Sequence, residues 1–367
     1  MSSTTITQTE KVHEPEYVYY FYDGAWGAKR EVLTGAQAKE TFSQIPIIDI
    51  SRIYSDKLEE RVSLAQEIAT ACEKVGFFYI KEHGIPQELI DATMDSTKKY
   101  FAQPTEVKMK EHIYLSRNLR GYEPVHGAQL DTATPLGDRK ESFLYNYEPE
   151  NDPQVPTLTE AQRSLLSHNL WPENQPEFKK ECFAYDKAMI VLARKMMQSF
   201  ALGLGADEHY FDDMITAPNT SVKKIHYPPQ DPSSTSETGI GAHTDFVCFT
   251  MLYQDSVGGL DVLNANGKWI PAPPVPGTFV VNIGDFLMRT SNDKFLSTVH
   301  RVKNISGQER YSMPFFFSFN MDAYVEVLPT CCSETNPRKY EPITVAEYYR
   351  LRHEKQRKKF MERGIGQ

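Results

Sequence analysis

Apolar residues recur at helical spacing over 58–75, through Leu58, Val62, Ile68, Cys72 and Val75, and Gly76 closes that predicted helix. Upstream, IPIIDIS (45–51) and, just beyond the glycine, FFYI (77–80) are short apolar runs that suit buried strands. Pro86 opens a second helix reaching about Phe101. The longest periodic stretch covers 175–203, with Phe178, Cys182, Tyr185, Met189, Met196 and Phe200 on one stripe and Gly203 and Gly205 at its end. After 220 the pattern becomes strand-like. Short β-rich segments at 222–227, 247–253, 259–263, 278–283, 297–303 and 310–319, with turn residues between them, predict a sandwich or barrel. Clusters of Pro, Asp, Asn and Gly between 120 and 172 read as loops and short elements, and PPQDPSSTSETGIG (228–241) reads as a mobile linker. A last helix is predicted over 344–361, and its basic run RLRHEKQRKK reads as a solvated face. The chain therefore divides into an extension (1–44), a mainly helical region (45–220), a β core (221–325) and a helical tail (326–367). Within the extension, YVYYFY (17–22) is aromatic enough to be expected against the body.

Composition narrows the function. The 367 residues are 40% hydrophobic and include 20 Tyr and 20 Phe, ample for a self-sufficient core and too apolar for disorder. A formal net charge of -9, with no basic stripe outside the tail, argues against general affinity for nucleic acid or anionic membranes. The polar start MSSTTITQTEKVHEPE lacks the apolar centre of a signal peptide, and no apolar run approaches the ~20 residues of a membrane helix. Five cysteines, an odd number without a CxxC, point to a reduced, cytoplasmic protein. Nothing in the sequence reports the oligomeric state.

The chemistry-bearing segment is GAHTDF, holding His243 and Asp245. On a strand, side chains at i and i+2 share a face, so imidazole and carboxylate can converge. The bland alternative is a hydrogen-bonded pair. A third group, His300 in STVHRV, completes a set of two histidines and one carboxylate, which suits Fe(II) with open coordination positions; zinc also accepts such ligands. Close behind follows ERYSMPFFFSF, in which Arg310 and Ser312 again stand at i and i+2. A guanidinium grips a carboxylate bidentately and a hydroxyl adds one more hydrogen bond. NISGQE (304–309) has turn composition, so 297–303 and 310–319 are expected to form a hairpin in which His300 faces Ser312 and Val302 faces Arg310. Pro314 inside the second strand is expected to mark an edge or a bulge.

HTD, the distant His300 and RYS resemble the iron- and 2-oxoglutarate-dependent dioxygenases of the isopenicillin N synthase-like family. ACEKVGFFYIKEHGIP (71–86), YFAQPTEVKMK (100–110), RGYEP (120–124), HYPP (226–229), TMLYQDSVGGLDVL (250–263) and VVNIGDFL (280–287) resemble family segments in the same order, over about 45–320. The resemblance implies an α+β fold, a double-stranded β-helix (jelly roll) flanked by helices. It implies His243, Asp245 and His300 as catalytic iron ligands, Arg310 and Ser312 as partners of the distal carboxylate of 2-oxoglutarate, and Tyr227 as a further contact of this co-substrate. Asn282 matches a family asparagine near the co-substrate. Ile225 stands where plant members often carry Asn, which removes one contact. The implied reaction consumes 2-oxoglutarate and O2, releases succinate and CO2, and hydroxylates, desaturates or cyclises a small molecule. Two alternatives stay open: an oxidase that uses the Arg/Ser pair for its own substrate carboxylate, and a non-catalytic binding protein on the same scaffold. Expected substrate contacts are Arg120, Tyr122, Phe246, Phe317 and the region 126–145, with Leu252 and Phe315 also placed near the ligands.

Overall fold

The computed structural model describes residues 15–362 apart from 24, 117, 129–136, 155, 156, 167 and 232–237. In chain order the strands are β1 (Tyr17–Tyr22), β2 (Ala25–Glu31), β3 (Ile47–Asp49), β4 (Phe77–Lys81), β5 (Gly121–Glu123), β6 (Glu141–Asn146) and β7 (Asn219–Tyr227). They continue with β8 (Ile240–His243), β9 (Phe249–Gln254), β10 (Leu260–Leu263), β11 (Trp269–Pro271), β12 (Phe279–Ile283), β13 (His300–Val302) and β14 (Arg310–Ser318). A six-stranded sheet runs β11-β10-β13-β8-β1-β2 and an eight-stranded one β3-β4-β12-β9-β14-β7-β6-β5, while β15 (Tyr324–Val325) and β16 (Ile343–Thr344) form a separate antiparallel pair.

Strand parity explains the layers. Even positions of β9 and β14 and odd positions of β7 turn toward the smaller sheet. There Tyr79, Ile225, Tyr227, Val280 and Leu252 meet Leu260, Val262 and Val302 in one apolar cluster between the sheets. The opposite parity (Phe249, Met251, Met313, Phe315, Phe317) faces the helices Leu58–Lys74 and Pro176–Gly203, against Leu64, Ile68, Met189 and Phe200. The long helix buries its Phe178–Cys182–Tyr185–Met189–Met196–Phe200 stripe, as its periodicity predicts. Gly76 reverses the chain between the first helix and β4. Its φ of +72° and the 2.2 Å that would separate a Cβ from the Leu296 carbonyl oxygen leave room for glycine alone.

Three expectations change and one is met. The 120–172 stretch supplies β5 and β6, two strands of the larger sheet. The aromatic 17–22 segment does lie against the body, as expected, and does so as a strand, β1, paired with β8 through the Phe21–His243 register. β13 and β14 are not a hairpin: β13 pairs with β10 and β8, β14 with β7 and β9, so residues 303–309 cross from one sheet to the other. Asn304 secures that crossing through its Nδ2 contacts with the carbonyls of Tyr227, Pro228 and Gln308. Pro314 marks neither edge nor bulge. It lies in an interior strand opposite Leu252, and β14 keeps one register on β7 while their pairing skips Met313 and Pro314, where the ring offers no N–H. The linker expected to be mobile lies partly outside the described residues.

Candidate active site

β8 and β13 lie side by side, and His243 and His300 are direct cross-strand partners with ring centroids 4.3 Å apart. The Nδ1 atom of His243 contacts the Gly241 carbonyl at 2.8 Å and that of His300 the Thr298 carbonyl at 3.2 Å. Those bonds leave each Nε2 lone pair for another partner. Both Nε2 atoms turn to Asp245 Oδ1, at 3.6 and 3.8 Å. Asp245 is not on the strand, since β8 ends at His243. The turn after β8 carries it, and Asp285 N donates to the Asp245 carbonyl (2.7 Å) while Gly284 N donates to that of Cys248 (2.9 Å). A Cβ on Gly284 would sit 2.1 Å from the Val247 oxygen, so glycine is what lets the turn close. Thr250 Oγ1 (2.6 Å) and Asn282 Nδ2 (2.8 Å) both donate to Asp245 Oδ2. One carboxylate oxygen is thereby occupied and the other left facing the imidazoles.

The ligand atoms of His243, Asp245 and His300 lie within 4.8 Å of one another, the only such His/Cys/Asp/Glu trio among the described residues. Cis ligands about 2.1 Å from one ion stand about 3 Å apart, so small side-chain shifts suffice to bind a divalent cation. The electrostatics favour it. Burial alone would raise Asp245, but the neighbouring His300 and His243 and the Thr250 bond hold its carboxyl well below the usual range. Burial and His243 push His300 down to about 4, keeping it neutral and able to ligate. Burial lowers His243 too, but Asp245 offsets this and leaves it raised.

On the same inner face stands Arg310, fully buried. Its guanidinium lies 4.6 Å above the Tyr227 ring, Nη1 reaches Ser312 Oγ and Nη2 reaches Gln254 Oε1 at 3.3 Å each, and Nε has no partner. Among the described residues no carboxylate pairs with it. A buried cation in that condition is stable only when an anion joins it, so the donor set fits a ligand carboxylate. β9 ties the two halves together: Thr250 contacts Asp245, and Gln254, on the same face and about 13 Å further along the strand, contacts Arg310.

Comparison with known proteins settles the family. The N-terminal domain of a non-haem dioxygenase in morphine synthesis matches residues 45–174, and the 2OG-Fe(II) oxygenase superfamily matches 219–319. The 2-oxoglutarate-Fe(II) type oxidoreductase ppzC of Metarhizium rileyi is 39% identical over 321 residues, covering 83% of this chain and 86% of that protein. The chain belongs to the iron(II)- and 2-oxoglutarate-dependent dioxygenases. A 2OG-Fe(II) oxygenase family protein of Caulobacter crescentus superposes with a TM-score of 0.75 at 31% identity, covering 85% of this chain and 99% of that one. Neurospora crassa T7H, crystallised with alpha-KG and 5-formyluracil, gives 0.71 at 29% identity, covering 89% and 100%. The jelly-roll fold and the dependence on Fe(II), 2-oxoglutarate and O2 follow from that membership.

The remaining expected site residues divide by parity and contact. Leu252 is on the inner face, half-buried. Phe317 and Phe315 are not: they point into the helix layer, because odd positions of β14 face away from Arg310 and Ser312. The inward aromatic is Phe316, half-buried and paired across to Thr250, which the motifs left unnoticed. Counting in twos from Arg310 finds it. Tyr122 is also spent elsewhere, its hydroxyl donating to Glu141 Oε2 at 2.6 Å within a buried network. Asn282, expected at the co-substrate, has its amide on Asp245. Phe246 follows Asp245 and meets Tyr349 at 6.2 Å between ring centroids. Arg120 lies near the same tyrosine. Part of the 126–145 region lies outside the described residues. Thr250, on Asp245, and Gln254, on Arg310, are contacts that sequence reasoning missed, both on the inner parity of β9.

Proposed function

We propose that His243, Asp245 and His300 hold the iron and that Arg310, Ser312 and Tyr227 hold the distal carboxylate of 2-oxoglutarate. On this reading the dioxygenase hydroxylates, desaturates or cyclises a small specialised metabolite in the cytoplasm. The observation that carries the reading is the buried Arg310 without an acidic partner, on the same inner face as the His/Asp/His trio. When bound, the iron and co-substrate supply the oxidising power that removes hydrogen from an unactivated carbon, with succinate and CO2 released. The protein's own side chains do the rest. Thr250 and Asn282 fix Asp245 with one oxygen free, and the Gly241 and Thr298 carbonyls fix the histidine tautomers. Val280, Leu252 and Val302 keep the neighbouring interior apolar and exclude water.

A biosynthetic small molecule is supported by the match to the morphine-synthesis dioxygenase domain, and the net charge of -9 speaks against a nucleic-acid substrate. No helix among the described residues is long and apolar enough to cross a membrane. The test is succinate formation from 2-oxoglutarate by iron-reconstituted protein. It is expected to vanish in His243→Ala, Asp245→Ala and His300→Ala with circular dichroism unchanged. Full activity in any one of them removes that residue from the site, and product formed without succinate overturns the assignment of the Arg310 pocket.

A further inference from the structure

The inner row of β14 continues beyond the iron-facing rung. Arg310, Ser312, Pro314, Phe316 and Ser318 share one side of the strand, a run of about 26 Å. Phe316 is the β14 partner of Thr250, which bonds Asp245. The trio therefore stands beside the Phe316 rung, with Arg310 to one side and Ser318 to the other. The co-substrate accounts for the Arg310 side alone.

At the Ser318 end, Tyr349 of the helix Val345–Glu362 hydrogen-bonds Ser318, and its ring packs on Phe246, the residue after Asp245. Arg120 lies near enough for its charge to be felt by that tyrosine. Arg120 Nη1 donates to the carbonyl of the adjacent Leu119 at 3.0 Å, while its Nε is buried with no partner. Among the described residues no carboxylate pairs with this guanidinium, and burial pulls its pKa down to about 10. Apart from Arg310, whose partner is the co-substrate on the reading above, the neighbouring cations of this wall are matched: Lys223 and Lys140 both lie on Glu123, at 3.1 and 2.9 Å. A half-desolvated, unmatched guanidinium is a carboxylate receptor in waiting.

Resting on the dioxygenase reading above, we infer that Arg120 binds a carboxylate of the primary substrate, so the enzyme acts on a small carboxylic acid whose body lies between Phe246 and Phe316. The acid end then points away from the trio and a carbon of the body toward it, with the two carboxylates of the reaction, substrate and 2-oxoglutarate, held at opposite ends of one strand face.

The test uses Mn(II)-loaded protein saturated with 2-oxoglutarate, titrated calorimetrically with benzoate, phenylacetate and hexanoate, each beside its primary amide. At least one acid is expected to bind tenfold or more tightly than its amide. Arg120→Gln is expected to erase that preference and Arg120→Lys to restore part of it. Equal affinity within every pair, or an acid preference that survives Arg120→Gln, overturns the inference. Binding of 2-oxoglutarate is measured on the same samples to verify each variant's fold. Its failure in the unaltered protein would strike the underlying assignment of the site instead.

Discussion

Replacing Arg310 by Met separates two effects of opposite sign. Met nearly matches the arginine in length and is flexible enough to fill the space above Tyr227. In the presence of co-substrate the variant loses the positive partner of a buried carboxylate, which costs about 2–5 kcal/mol. At 1.4 kcal/mol per factor of ten, the apparent KM for 2-oxoglutarate should rise by about 30-fold to several thousand-fold. Without co-substrate the sign reverses. Arg310 is then a fully buried cation whose contacts are Ser312, Gln254 and the Tyr227 face, all neutral. Removing it relieves desolvation of about 1–4 kcal/mol. The lost ring contact of about 0.5–2 kcal/mol offsets part of that gain. A net stabilisation of about 1 kcal/mol should raise the melting temperature of the metal-loaded, co-substrate-free protein by about 2 °C. Thermal melts with and without 2-oxoglutarate read both effects. Ligand at a hundred times Kd stabilises unaltered protein by about 2.7 kcal/mol, an increment the variant should lack. A variant that melts lower than the original without ligand, yet keeps its 2-oxoglutarate KM within about threefold, would refute the reasoning.

Thr250→Val and Asn282→Leu each remove one of the two donors to Asp245 Oδ2 and should each weaken metal binding roughly tenfold to a hundredfold, read by Mn(II) titration; unchanged affinity would mean Asp245 needs no such support. Glu141 accepts from Lys108 and Tyr122 on Oε2 and contacts His226 on Oε1. Burial raises its pKa, but the His226, Lys108 and Tyr122 bonds outweigh this and leave it lowered. Its contribution to stability is therefore present above the unfolded carboxyl value of about 4.3 and lost as pH falls through the lower folded value. Glu141→Gln should cost about 3 kcal/mol by stranding buried Lys108, and should flatten the acid limb of a melting-temperature profile; an unaltered limb would assign that limb to other groups. Phe317→Ala, in the helix layer, should cost about 3–5 kcal/mol, whereas Phe316→Ala should change substrate KM with little loss of stability. The reverse pattern in denaturant melts would mean the parity of β14 is misread.

Much of the fold was legible because its helices are strongly periodic and its core strands strongly apolar. The helix predicted over 58–75 ends at Lys74, and the one predicted over 175–203 spans Pro176–Gly203. β5 and β6 were hidden because they carry polar inner-face groups, Glu123, Ser142 and the neighbouring Lys140. These hydrogen-bond one another, Lys140 and Ser142 both donating to Glu123 Oε2, so the segment has no apolar alternation to show. β13 was misassigned to a hairpin for a related reason. A six-residue stretch of turn composition crosses between sheets as readily as it reverses within one, and local sequence carries no record of which.

The site residues were legible by type and less so by direction. His243, Asp245 and His300 were found through a spacing argument that placed all three on strands, yet Asp245 reaches the histidines from a turn shaped by Gly284 and Asp285. Phe316 was passed over for Phe317, although Arg310 and Ser312 already set the inward parity as even. Once that parity is applied along the strand, one face orders the reaction. On the proposed reading, Arg310 at one end takes the co-substrate, the half-buried Phe316 ring stands beside the trio, and Arg120, near Tyr349 toward the Ser318 end, takes the substrate acid. Two anions that bound from the same side would repel each other in a low-dielectric pocket; drawn to opposite ends, they leave the middle of the strand as the one place where the carbon to be oxidised can meet the metal.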